Sequence, residues 1–534
     1  MIKYKLTNKN IDIRRSLYKR IANPFYIIAV TLTAIGTYGY YLANPSPSID
    51  WLSYDEYYTG LLFGQGRFTA TFVERILELW NCPVWFEPLL GIVCFIFGSL
   101  ILLSVFDGFK DENSIVPSIV FSCVYISFPL LPEYFIYNGA ILTVGGCTIL
   151  FSLALYFSIK YEDFLRSFLL PIVFITLVFS WYECMILPYI GAVFAIMILK
   201  ENKDGKIKSS EIFLKGIYHA IILAVGVIFE FAVTKIIIKI FSIRTNSFAQ
   251  TQSYWTFSIQ TVKNLFRSYL SYWGLKIFCN PAFTILFLSG IVFFILFVIN
   301  IKRTRSFSSI LLYLGSLIPV FAMTLYRGGG AEYRAEQGMP FFVAFTAYLL
   351  CINIEFCSKN IKRIFSVLFA FMMIIQIGSS NRCYWINNQR FEEEKNTILT
   401  VNNIITNKFD KNKPVIFVGG YEISTSLNNK ISVSDSSPAG KIIHRFASEK
   451  SYDKANKIYD YIGRSYIEWG IKTAFDPDKP ESELYKFCEY IGVSFKHCTK
   501  EQYDEAINNY KDMPIYPEKG CISDNGEYII VRLK

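Results

Sequence analysis

The sequence predicts a polytopic α-helical membrane protein of about 11 transmembrane helices, followed by a C-terminal extracytoplasmic α/β domain. Three observations carry that reading. Hydrophobic residues make up 53% and aromatic residues 17% of the 534, too apolar for a soluble enzyme of this size. Apolar runs of membrane length recur as far as Ser380, and the polar segments between them alternate between basic and mixed or acidic. Beyond Ser380 the chain becomes rich in Asn, Lys, Asp and Glu.

Residues 1–23 form a basic segment with Arg14, Arg15, Lys19 and Arg20, read as cytoplasmic, with an interfacial helix over Ile11–Ile21. Its length and polarity do not suit a signal peptide, so the run Pro24–Ala43 is read as a retained first span. Residues 44–83 then form an outer loop, where Phe72, Ile76 and Leu79 recur at helical spacing and predict an interfacial helix. Further spans are predicted at 84–106, 114–132, 139–159, 167–180, 184–199, 213–236, 281–301, 307–325, 339–356 and 364–380. Trp181-Tyr182-Glu183 breaks the long apolar stretch 167–199 and makes it a hairpin.

Loop charge orients these spans. The segments 200–208, 302–305 and 359–363 are basic and are assigned to the cytosol. The loops 44–83, 133–138 and 326–338 are mixed or acidic and are assigned outside. Loop 244–280 carries Lys and Arg but also an aromatic belt, and it is kept outside. The membrane domain is therefore 24–380, and an odd number of spans puts 381–534 outside the cell or inner membrane. In that last region Lys413–Gly420 and Tyr528–Leu533 read as strands, and Asp453–Gly470 as an amphipathic helix. Its Cys383, Cys488, Cys498 and Cys521 are even in number and open to disulfide formation in that compartment.

The net charge of +10 does not point to nucleic acid, because the Lys and Arg residues punctuate apolar runs and form no basic stripe with interleaved aromatics. His219, His444 and His497 are scattered, and no Gly-rich nucleotide-binding pattern is present, so a cytosolic nucleotide donor has no support.

Two outer segments could carry chemistry. Asp55-Glu56 sits between Trp51-Leu-Ser-Tyr54 and Tyr57-Tyr58, with Arg67 downstream: a carboxylate among aromatic rings suits general-base chemistry on a stacked sugar, while the plain alternative is a solvated belt. Tyr326–Gly338 combines three glycines with Arg327, Glu332, Arg334 and Glu336; its arginines could neutralise a phosphate or simply pair with the glutamates. Glu183 lies close to hydrocarbon and should face a cavity, and Glu87 reads as a helix-start carboxylate. Glu230 and Lys235 read as an internal pair or as snorkelling side chains.

With these segments in order, the chain resembles the Gtr-type O-antigen glucosyltransferases, polytopic enzymes of the GT-C class. Asp55-Glu56 followed by Gly66-Arg67, Tyr182-Glu183, Arg327–Arg334 and Met513–Gly520 carry the resemblance. Relatives have two aspartates where this chain has Asp-Glu followed by Tyr57-Tyr58. The resemblance implies a GT-C-like fold and transfer of a hexose, glucose first, from a polyprenyl-phosphate carrier to a cell-surface polysaccharide at the outer face of the bilayer. It implies that Asp55 is the catalytic base, and that Glu56 supports it or binds a divalent cation. Arg67, Arg327 and Arg334 then hold the lipid phosphate, with Tyr57, Glu183 and Glu332 in the substrate site. The competing reading, a polysaccharide or lipid-linked sugar transporter or flippase, predicts ionisable residues along the membrane interior, whereas here they collect at one face.

Overall fold

The computed structural model describes residues 8, 11–48, 52, 62–110, 114–136, 140–205, 207–243, 258–329, 333–355, 358–446, 465–475 and 483–534. Helix α1 (Ile13–Ile21) is capped by Asp12, which accepts from the Arg15 amide at 3.1 Å, and α2 (Pro24–Ala43) by Asn23, with proline in its first turn. Then come α3 (Phe68–Leu77), α4 (Phe86–Asp107), α5 (Val116–Ser127), the short α6 (Pro132–Ile136) and α7 (Ala140–Lys160). The chain continues through α8 (Leu170–Trp181), α9 (Ile186–Asp204), α10 (Ser209–Phe241), α11 (Ile259–Arg267), α12 (Pro281–Thr304), α13 (Phe307–Gly315), α14 (Ile318–Arg327) and α15 (Gly338–Ile354). Helix α16 (Lys359–Lys408) closes the series.

Among the described residues, 7 helices are long and apolar enough to cross a membrane, α2, α4, α7, α9, α10, α12 and α16, and the pair α13–α14, bent by 51°, makes up to 8. Helix α5, the segment Leu165–Trp181 and α15 are apolar but shorter. Each apolar run of the sequence is thus helical, and the architecture is that of a polytopic helical protein. The predicted interfacial helix exists as α3, with Phe72 and Ile76 exposed on one side.

Helices α4 and α7 pack backbone against backbone. A Cβ on Gly145 would lie 2.3 Å from the Gly91 carbonyl oxygen, and one on Gly91 would lie 2.5 Å from the Leu142 amide nitrogen. Two backbones can approach this closely only where side chains are missing, and in lipid such packing, with little hydrophobic drive available, is what holds helices together. Ser152 adds a hydrogen bond from its hydroxyl to the Gly98 carbonyl at 3.2 Å.

At the basic end of the helices, α1 is locked down by charge. Arg20 is buried, 2.8 Å from Asp107 at the end of α4 and 3.0 Å from the Ser118 hydroxyl of α5. Lys160 donates to the Ile11 carbonyl at 2.6 Å. A second buried carboxylate, Glu201, accepts from Ser308, Ser309 and Asn300 at 3.1, 2.9 and 2.8 Å, tying α9 to α12 and α13. Charges held by several fixed partners in this way serve registration of helices.

The composition change at residue 381 is not a break in structure. Helix α16 runs straight through it for 50 residues, about 75 Å at 1.5 Å per residue, against roughly 30 Å of hydrocarbon. Its first half exposes Ile364, Val367, Phe371 and Ile374; its second half buries Asn387, Arg390, Glu394, Ile398, Val401 and Ile405 at helical spacing. On that second half rest β1 (Val415–Val418), α17 (Thr425–Ile431), α18 (Pro438–Phe446), α19 (Tyr466–Lys472), α20 (Glu483–Tyr490), α21 (Lys500–Asn509), β2 (Ile522–Asp524) and β3 (Ile529–Arg532). Strand β1 pairs in parallel with β3, Val415 opposite Ile529, and β2 pairs antiparallel on the other edge of β3. The two predicted strands are therefore neighbours, with Phe417 and Val531 packed in one core and Ile416 and Ile530 in another.

This C-terminal region is clasped to the loop after α2. Asn387 donates to Ser46 at 2.7 Å, and the Tyr466 hydroxyl donates to the Pro47 carbonyl. Glu394, fully buried, accepts from the Ser465 hydroxyl and the Ile467 amide at 3.0 Å each. Burial raises its carboxyl to about 7 against the opposing pull of Arg390.

Three expectations need correction or fall out of view. Glu230 and Lys235 do not pair, because residues five apart on a helix do not face each other; each turns to a partner four away, Glu230 to the Thr234 hydroxyl at 2.7 Å and Lys235 to the Phe231 ring at 4.3 Å. Cys488, Cys498 and Cys521 are free thiols, and Cys383, Cys488 and Cys521 are buried as small side chains. Of the helix expected over 453–470, residues up to 464 lie outside the described residues.

Replacing Gly145 with Val should cost about 3 kcal/mol through the collision with α4. Gly216→Ala, on α10 where a Cβ meets nothing within 4 Å, should hold or raise stability by about 0.5–1 kcal/mol. Melting temperatures in one detergent compare the two.

Candidate functional site

At the end of the helices opposite Arg20, four segments far apart in sequence come together. The first is the turn before α3. Gly66 has φ +83, a left-handed conformation that favours glycine, and a Cβ there would lie 2.8 Å from Glu230 Oε1 of α10. The next residue, Arg67, is delivered by that turn to the start of α3.

The second segment is the break between α8 and α9. Tyr182 ends α8 in an extended conformation and its ring is buried, while Glu183 opens a short 3-10 turn with half its side chain in solvent. The Arg67 guanidinium lies 5.2 Å from the centre of the Tyr182 ring, and its Nη2 is 3.8 Å from Glu183 Oε1. With Arg67 30% and Glu183 48% exposed, this is an open contact that a competing anion or hydroxyl can replace, worth little to stability.

Helix α6 supplies the third segment. The Tyr134 ring meets Tyr182 edge-on at 6.1 Å, and its hydroxyl donates to the Arg334 carbonyl. That carbonyl also accepts from the buried Gln337 amide at 3.1 Å. The backbone of the fourth segment, the turn from α14 to α15, is thereby pinned to the same tyrosine pair that carries Arg67. Tyr182 feels the charges of Arg334, Glu183 and Arg67 together.

The base of that turn is closed by a buried acid. Glu336 accepts from the Thr324 hydroxyl of α14 at 2.8 Å, and its other oxygen is buried with no hydrogen-bond partner among the described residues. Burial pushes its carboxyl up to about 8, with the Arg327 charge opposing, so at neutral pH it is a neutral acid. Lys276, buried 5.6 Å from the Tyr333 ring, adds a cation beneath the turn.

Of the residues singled out by sequence, Arg67, Glu183 and Arg334 are thus gathered at one place, and the charge of Arg327 acts on Glu336 across the same turn. Asp55, Glu56, Tyr57 and Glu332 lie outside the described residues. Glu87 sits in the first turn of α4 as expected, but it is buried and close in charge to Glu74 of α3. Among the described residues no three His, Cys, Asp or Glu side chains are grouped to hold a metal ion.

Tyr134, Glu230 and Lys276 belong to this neighbourhood and were not assigned to it from sequence, whereas Glu336 was expected in the arginine segment as a pairing partner. Tyr134 carries no signal in a Pro-Glu-Tyr segment, and Glu230 lies on a helix whose neighbours only the folded chain supplies. Chemically, the Arg67 guanidinium over the Tyr182 ring, the nearby charge of Arg334 and a half-exposed carboxylate form a place for an anion joined to a polyhydroxyl ring.

A family model described as Glucosyl transferase GtrII matches residues 39–351, a stretch that contains all four segments. No curated protein matches the chain in sequence.

The raised carboxyl of Glu336 has a defined pH consequence. Its neutral form contributes stability that is fully present below about pH 4.5 and is lost as pH rises toward about 8. Glu336→Gln stays neutral and can still accept from Thr324, so its melting temperature should decline less than the parent's across that window.

Proposed function

The chain belongs to the glucosyl transferase GtrII family and is a glucosyltransferase; from that premise we propose that it takes glucose from a polyprenyl-phosphate carrier and passes it to a cell-surface polysaccharide of the O-antigen kind. In this reading the basic end of the helices faces the cytosol. The shorter apolar helices complete about 11 crossings in a GT-C-like arrangement, and residues 381–534 lie outside with the 44–83 loop.

The observation that carries the reading is the convergence of Arg67, Glu183 and the pinned Arg334 turn on one tyrosine pair at a single end of the helices. A transporter would need such groups spread along a path through the bilayer. The clasp of Asn387 and Tyr466 on Ser46 and Pro47 supports a common side for the C-terminal region and the loop bearing Asp55.

The reaction proceeds in one displacement. Asp55 takes the proton of an acceptor hydroxyl as that oxygen attacks the glucose anomeric carbon. The bond from that carbon to the phosphate oxygen breaks, and its electron pair leaves with polyprenyl phosphate. Negative charge grows on the phosphate as the bond lengthens, so Arg67, Arg327 and Arg334 lower the barrier by holding it. Glu183, now held beside Arg67, exchanges that contact for the sugar hydroxyls when the phosphate takes its place, and Tyr57 and Glu332 complete the sugar site. Glu56 supports Asp55 or holds a divalent cation.

Asp55→Asn should abolish glucose transfer while membrane abundance stays normal. Arg67→Ala should lower kcat about a hundredfold, the usual cost of losing one group aimed at developing charge. Both are read by following labelled glucose from glucosyl polyprenyl phosphate into polysaccharide; activity retained in Asp55→Asn removes the base from the mechanism.

A further inference from the structure

Lys276 is completely buried beneath the arginine turn, and the displacement described above makes no use of it. A cation taken out of water is costly unless its surroundings hold it. Its backbone is fixed first. The helical segment Ser268–Gly274 ends at Leu275, and the turn into α12 folds on the Lys276 carbonyl, which accepts from the Cys279 amide at 3.1 Å and the Asn280 amide at 2.8 Å. Asn280 in turn caps α12, its side chain accepting from the Ala282 amide at 2.9 Å. The lysine side chain therefore leaves from a rigid corner.

Two contacts run from that corner. The Lys276 ammonium lies 5.6 Å from the centre of the Tyr333 ring, and the Phe283 ring of α12 lies 5.4 Å from the same ring. Tyr333 is 1% exposed and opens the 3-10 turn Tyr333–Ala335, its carbonyl accepting from the Glu336 amide at 3.0 Å. The residue after it is Arg334, half-buried. The second contact leads to the C-terminal region. Leu275 packs on Ile443 of α18, both buried, with Cys279 and Ile442 against them. The C-terminal region thus touches the neighbour of Lys276, and Lys276 touches the neighbour of Arg334.

We propose that Lys276 is a positioning residue for Arg334: through the Tyr333 ring it fixes the 3-10 turn, while α18 of the C-terminal region, seated on Leu275, keeps water from the corner. An ammonium over an aromatic face attracts it strongly only where both are desolvated, which gives the Leu275–Ile443 contact a use beyond packing. With the Arg334 carbonyl already held by Tyr134 and Gln337, fixing the preceding ring leaves the guanidinium little freedom. A cation set in place beforehand acts on developing charge without reorganising. That this charge belongs to the leaving phosphate rests on the glucosyl-transfer reading; the coupling of Lys276 to Arg334 does not.

The test uses the whole protein in nanodiscs and two readouts. The first, phenylglyoxal modification of arginines followed by peptide mass spectrometry, needs no activity. Lys276→Met keeps the length of the side chain and removes its charge; it should speed modification of Arg334 about threefold and leave Arg67 unchanged. Lys276→Arg keeps a cation over the ring and Tyr333→Phe keeps the ring, so both should retain the parental rate. The second readout is transfer from glucosyl polyprenyl phosphate. Lys276→Met should lower kcat about tenfold with KM within about twofold, and should add no loss to Arg334→Ala, because two residues that act through one group are not additive. Ile443→Ser, which opens the cover, should move both readouts in the direction of Lys276→Met and add nothing to it. An unchanged Arg334 rate in Lys276→Met, a change that extends equally to Arg67, or losses that multiply with Arg334→Ala overturn the proposal, and parental behaviour of Ile443→Ser overturns the part given to α18. A faster Arg334 rate in Lys276→Met, with no glucose transfer by the parent protein, would leave Lys276 in its role and remove the glucosyl-transfer reading instead.

Discussion

The approach of α4 to α7 through Gly91 and Gly145 is the contact on which the placement of the site depends. Lipid tails are as apolar as leucine, so helices in a bilayer are held by surfaces that fit, and the closest fit is backbone on backbone. Once these two helices are fixed, Gly146 of α7 leaves room for the Trp181 indole at the end of α8, and that contact sets the height of the Tyr182–Glu183 break. The loops at that end then have one arrangement in which Arg67 reaches Tyr182.

The two ends of the helices treat charge differently, and the difference follows from use. Near the basic end, Arg20 and Glu201 are buried and surrounded by fixed donors and acceptors, an arrangement that registers helices against one another. At the opposite end, Arg67 and Glu183 meet at 3.8 Å with much of both side chains in water. That contact contributes little to stability, and for the same reason it is easily exchanged for a ligand's phosphate and hydroxyl groups. What keeps it in place is its neutral surroundings, namely the Tyr134–Tyr182 pair, the glycine turn at Gly66 and the Arg334 carbonyl held by Tyr134 and Gln337.

Helix α16 joins the membrane part to the C-terminal region without a hinge. A linker would let that region drift; a continuous helix with Arg390 and Glu394 buried in its second half keeps it over the loop after α2. The Arg390 guanidinium stacks 4.7 Å from the Tyr466 ring, which in turn lies flat on Phe487 at 4.7 Å. The region therefore bears on Ser46 and Pro47, close in sequence to Asp55.

Hydrophobic periodicity and length by themselves determined the helices, because a backbone in hydrocarbon has no other way to satisfy its polar groups. They located the helix α3, the break at Trp181-Tyr182-Glu183 and the strands β1 and β3, each from a local pattern. They also singled out Arg67, Glu183, Arg327 and Arg334, since charge next to long apolar runs is costly and stands out. They did not reveal that α16 passes unbroken through residue 381, since a change of composition alters what a helix faces and not whether it continues. Nor did they join Tyr134 to Arg334, Glu230 to Gly66 or Thr324 to Glu336, pairs separated by 200, 164 and 12 positions in the chain. Those contacts arise only when helix packing brings distant turns together, and three-dimensional closeness of that kind leaves no periodic trace in one sequence.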